Sequence, residues 1–96
     1  MSPLRKIVLH STSGLRSGLD ELVREWILGG VEYVGVVGLD AAKIEDAIDE
    51  ICESQEPEPY FMVTVAHDSS ESLEDALFLA RVVPEDRPVQ VDVVAF

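Results

Sequence analysis

The chain is predicted to be an α/β protein: a single small, open, parallel or mostly parallel four-stranded sheet with helices on both faces, in the order β-α-β-α-β-α-β. Three observations predict it. Short runs rich in Val, Ile and Leu recur along the sequence, the composition of strands buried in a sheet. Between them lie stretches whose apolar residues repeat at helical spacing. Each strand-like run reaches its helix through a polar turn, and this alternation is the pattern of βαβ units.

Residues 5–10, RKIVLH, form the first strand, an apolar run with basic flanks. His10-Ser11-Thr12-Ser13-Gly14 follows as a polar turn that suggests a phosphate cradle but has neither the GxxxxGK[ST] nor the GxGxxG spacing. Residues 17–28 read as a helix, with Ser17 and Asp20 fitting a capping box. Leu15, Leu19, Leu22, Val23, Trp26 and Ile27 supply its apolar stripe, and Gly29-Gly30 ends it. Residues 31–38, VEYVGVVG, are the second strand; Gly35 and Gly38 admit the close approach of a neighbour, most simply a packed helix.

Asp40 is placed to cap a helix running to about residue 54, with Ile44, Ala47, Ile48 and Ile51 facing one way. Glu56-Pro57-Glu58-Pro59 is a stiff extended linker, because proline disfavours helix in the residue before it. Residues 60–67 then form the central strand, with Phe61 to Val65 as a run buried on both faces. Ser72 and Asp75 fit a second capping box for a helix reaching Val83 on Leu73, Ala76, Leu77 and Ala80. Residues 84–88 make the last turn. Residues 89–96, VQVDVVAF, alternate with Gln90 and Asp92 on one face, the mark of a half-exposed edge strand. By analogy with flavodoxin-like and Rossmann-like sheets, the expected strand order is 2-1-3-4 with right-handed crossovers, all within one domain, residues 1–96.

Charge is the strongest compositional signal: 19 acids against 7 bases, a net charge of −12. Phosphate backbones and anionic membranes would be repelled, so neither nucleic acid nor membrane is an expected partner, whereas a basic protein or a metal cation would be attracted. The single cysteine, Cys52, excludes an intrachain disulfide and falls near the buried face of its helix, where a thiol is inert. No signal-peptide core and no membrane-length apolar run is present, so a cytoplasmic location is expected. No motif calls for a cofactor, and none is expected.

Two groups of residues could carry function. Glu45, Asp46, Asp49, Glu50 and Glu53 fall on one arc of their helix at 100° per residue. Between Asp40 and Glu58 there are eight acids and one base, Lys43. Such a surface fits a protein-binding module that docks a basic partner, as an inhibitor or immunity protein neutralises a toxic nuclease. The alternative is a small enzyme or metal-binding domain whose site lies at the carboxyl ends of the strands. His10, Asp40, His67 and Asp68 would be its acid–base or metal-ligating groups, with Ser11, Thr12, Ser69 and Ser70 beside them. Against it, Asp40 and the serines serve as helix caps, and neither close-spaced metal ligands nor a GxSxG elbow is present. The balance favours a binding module over an enzyme. The edge formed by residues 89–96 could also pair with a second copy and make a homodimer.

The run VREWILGGVEYVGVVGLDAAKIEDAIDEI followed by YFMVTVAHDSSESLEDALFLA resembles a family of small bacterial α/β domains of unknown function. Trp26-Ile27, Gly30, Tyr33, Gly38, Asp40, Asp46 and His67 carry the resemblance, which spans Leu22 to Ala80. It departs at Ala66, where an aromatic residue is expected beside His67. The resemblance implies the α/β fold and no particular activity.

Overall fold

Strand and helix alternate along the chain as the apolar pattern predicts. The computed structural model describes residues 4–67, 70–82 and 89–96. Its elements are β1 (Leu4–Ser11), α1 (Leu19–Leu28), β2 (Tyr33–Gly38), α2 (Ala41–Glu53), β3 (Val63–Ala66), α3 (Leu73–Val82) and β4 (Val89–Ala95). Every strand pairing is parallel, and the sheet runs β3-β2-β1-β4.

This order corrects the expected 2-1-3-4. Steps from β1 to β2 and from β2 to β3 move in one direction, so right-handed crossovers put α1 and α2 on the same face. The connection through α3 then passes back over β2 and β1, lays β4 against the far side of β1, and places α3 on the other face. The strand expected at the centre is therefore an edge. β3 is only four residues long. Phe61 is 82% exposed and Val63 is exposed too, because α3 covers that face alone and packs on β1, β2 and β4. The other expected edge, β4, is an edge. Residues 84–88 and the side chain of Gln90 lie outside the described residues.

Side-chain alternation divides the core in two. Ile7, Leu9, Val34 and Val36 meet Leu19, Val23 and Trp26 of α1 and Ile44, Ile48 and Cys52 of α2. On the opposite face Val8, Tyr33 and Val37 meet Ala76 and Ala80 of α3. Lys6 belongs to this second face and is 1% exposed, so it is a core residue rather than a basic flank. Its ammonium donates to the Ala80 carbonyl at 2.7 Å and lies 5.2 Å from the centre of the Tyr33 ring. A cation is favoured there, in the last turn of α3 and over an aromatic face.

The helix starts divide by locality. At α3 the capping box forms in both directions: Ser72 N–H donates to Asp75 Oδ2 at 2.9 Å, and Asp75 N–H to Ser72 Oγ at 3.2 Å. At α1 it does not form. Gly18, with φ +99°, is the N-cap and no side chain caps the helix; Asp20 pairs with Arg24 at 3.2 Å instead. Asp40 does occupy the N-cap position of α2, but at φ +57° and without a side-chain cap bond. The close approach at Gly38 is to a strand, not a helix: at φ +110°, a Cβ would run into the Ser11 carbonyl. Cys52 is buried and unbonded; burial, then the charges of Asp49 and Glu53, push its thiol up, which keeps it unreactive.

Candidate functional site

The acidic arc of α2 is built as the helical period predicts, but its members have different roles. Asp46, Glu50 and Glu53 are exposed, while Glu45 and Asp49 are half-buried where α2 packs on β3. Asp49 Oδ1 accepts the Thr64 hydroxyl at 2.7 Å. The Glu45 carboxyl faces the backbone N–H of Ala66, an outward-facing donor of the edge strand. Burial first, then the charges of Asp49 and Asp46, raise the Glu45 carboxyl above its usual range, and the nearby Ala66 N–H pulls it part of the way back. Carboxylate oxygens of Glu45, Asp46 and Asp49 all lie within 4.8 Å of one another. Among the described residues no Lys or Arg forms an ion pair with them. The result is a concentrated negative surface whose inner residues seal the sheet edge and whose outer ones face solvent.

At the carboxyl ends of the strands the side chains are held apart. His10 is in register with Val37, and Val36 with Ala66, so His10 and His67 flank Val37 on the α3 face. Two strand spacings, roughly 10 Å, separate their backbones. His67 is 3% exposed, and its Nδ1 lies 2.8 Å from Glu71 Oε2. Its Nε2 turns back over Gly35, is inaccessible to solvent, and has no hydrogen-bond partner among the described residues. Asp40 Oδ2 accepts the Leu15 N–H at 3.0 Å, tying the end of β2 to the loop after β1. Asp68 and Ser69 lie outside the described residues. Among the described residues, His10, Asp40 and His67 form no group close enough to share a metal ion.

The turn after β1 has already used its donors. Thr12 and Ser13 N–H groups donate to the Phe96 carbonyl at 2.9 and 3.3 Å. Gly14 N–H donates to Ser11 Oγ at 3.2 Å and Leu15 N–H to Asp40. A phosphate would have to displace these bonds. A shallow groove of about 380 Å³ lies between Gly38, the first residues of α2 and Ala66-His67. The nitrogens of His67 are not offered to it: one is bound to Glu71 and the other is buried.

Sequence reading missed Glu71 and Thr64, the partners that fix His67 and Asp49. Glu71 stands four residues beyond His67, a spacing that carries meaning only inside a helix, and Glu71 lies ahead of the first residue of α3. Thr64 could be matched to Asp49 only by knowing that α2 packs on β3.

Among the described residues, no helix is long and apolar enough to cross a membrane. Neither a curated protein nor a solved structure matches the chain. One family model does, and it extends beyond the Leu22–Ala80 region of resemblance to cover residues 1–96. With this α/β fold and this full-length match, the chain belongs to the family described as Domain of unknown function (DUF7684).

Proposed function

We propose that the chain is a cytoplasmic acidic binding module whose α2 face docks a basic protein surface and neutralises it, as an inhibitor or immunity protein does. The observation that supports this is the clustering of Glu45, Asp46 and Asp49 carboxylates within 4.8 Å, with no Lys or Arg paired to them among the described residues. Mutual repulsion raises the free energy of such a surface, and an arriving cationic surface lowers it, which speeds encounter and makes it salt-dependent. Asp46, Glu50 and Glu53 would make the contact, with Glu45 and Asp49 supporting the field from the β3 side. The alternative, an enzyme or metal-binding domain built on His10, Asp40, His67 and Asp68, is favoured among the described residues by the unpartnered Nε2 of His67 alone.

The test is a triple reversal, Asp46→Lys, Glu50→Lys and Glu53→Lys, on exposed positions where the fold should be retained. Wild-type protein should retain a basic partner from source-cell lysate at low salt and release it at high salt. The reversed protein should retain none. Equal retention by both would sink the reading. A calcium titration that saturates on the wild type and fails on the variant, without any protein partner, would reassign the surface to a cation.

A further inference from the structure

We propose that β4 is a self-pairing edge, through which two copies of the chain join their sheets antiparallel about a two-fold axis at Val93. The two edges of the sheet are treated differently. At β3 the strand is four residues long, the outward N–H of Ala66 faces the Glu45 carboxyl, and the Thr64 hydroxyl is bound by Asp49. Short length and inward carboxylates are devices that block pairing. β4 has seven residues with neither proline nor lysine among them. Phe96 N–H donates to the His10 carbonyl and the Phe96 carbonyl accepts from Thr12. Strand alternation then turns the N–H and C=O groups of Val91, Val93 and Ala95 outward. Among the described residues none of these groups has a hydrogen-bond partner.

The register follows from charge. An axis at Val93 sets Val93 against its own copy and Val91 against the second copy's Ala95, which gives about six backbone hydrogen bonds. Asp92 then faces the second copy's Val94. An axis at Asp92 would put two carboxylates directly opposite each other, which is destabilising. In the Val93 register, Asp92 lies diagonal to the second copy's Phe96 on the α1 face. Arg16 stacks on Phe96 with its guanidinium carbon 4.1 Å from the ring centre. Each Arg16 thus comes beside the other copy's Asp92, which already lies 3.6 Å from Arg5. This complementarity, repeated twice by symmetry, is the reason the occupant is a second copy of the chain. The acidic α2 face does not prevent it. That face lies on the β3 side, three strand spacings or roughly 14 Å from β4, beyond the Debye length of about 8 Å at physiological salt.

The pair of strands is a small interface, so the expected dissociation constant is micromolar. In sedimentation at concentrations up to the hundred-micromolar range, the wild type should run as a dimer. Val93→Lys, which places two ammonium groups on the axis, should run as a monomer, and Arg16→Glu should weaken the dimer. Mild oxidation should cross-link Val93→Cys into a covalent dimer, because paired residues on the axis are close enough for a disulfide. Val91→Cys should not cross-link, and the wild type, with only buried Cys52, should not either. A wild-type monomer over the whole range would overturn the proposal, and so would equal cross-linking of both cysteine variants. A monomer that instead pairs with an added VQVDVVAF peptide would also overturn it.

Discussion

The imidazole of His67 and the phenol of Tyr33 meet over Gly35. His67 Nε2 and Tyr33 Oη lie 3.4 and 3.6 Å from the point a Cβ at residue 35 would occupy. Both atoms are buried without a hydrogen-bond partner among the described residues. A methyl at residue 35 would stand in ordinary van der Waals contact with both groups, so neither crowding nor an unusual backbone angle requires glycine here.

Gly35→Ala should therefore be accepted without overpacking and stabilise the fold by about 0.4–1 kcal/mol, by reducing the freedom of the unfolded chain. Urea denaturation measures it directly. A loss of stability instead would show that His67 or Tyr33 cannot accept the methyl.

Asp40 combines a left-handed backbone with an acceptor for Leu15 N–H. Asparagine tolerates that backbone and keeps an acceptor, glycine keeps only the backbone freedom, and alanine keeps neither. The expected order of destabilisation is Asp40→Asn, then Gly, then Ala, with Ala costing about 1–2 kcal/mol. Thermal melting of the three variants tests it. If Gly proved the most stable of the set, the Leu15 bond would contribute nothing.

Glu45 predicts a pH dependence. Its folded-state carboxyl is raised above the ordinary value of 4.5, so between those values the folded chain binds more protons than the unfolded one. The stability contributed by this group therefore rises as pH falls from neutral through the raised value, and levels off below 4.5. Glu45→Gln should stabilise the protein slightly at neutral pH, by at most roughly half a kcal/mol because solvent screens the site. The gap should close below about pH 4, where both states are protonated. Circular-dichroism melts across this range decide the matter; a gap that persists in acid would have a cause other than titration.

How legible each feature was depended on how far apart its parts lie in the chain. The α3 capping box was readable because both partners stand three residues apart and nothing between them competes. The same pattern at Ser17–Asp20 failed because Gly18, the residue between, takes a left-handed turn and starts the helix itself. The acidic arc of α2 follows from helical period alone. That Glu45 and Asp49 turn toward β3 does not, because it depends on which strand α2 covers. Strand order depends on the direction of each crossover, and apolar content does not encode that. Lys6 was read as a flank because lysine is rarely buried unpaired; its burial depends on the Ala80 carbonyl, far along the chain.

The placement of β4 beside β1 has a temporal consequence. β1, β2 and β3 are linked by short crossovers and can assemble as soon as they leave the ribosome, whereas one flank of β1 must wait for β4. Leu4 pairs with Val89 and His10 with Ala95, so the last strand made completes the first. Until then β1 carries an unpaired row of backbone groups beside Lys6, whose acceptor arrives only with α3. Closing so long a loop is entropically slow. A nascent chain halted before β4 would therefore expose the middle of its own sheet, and that interval is when the protein is most open to mispairing or to capture by a chaperone.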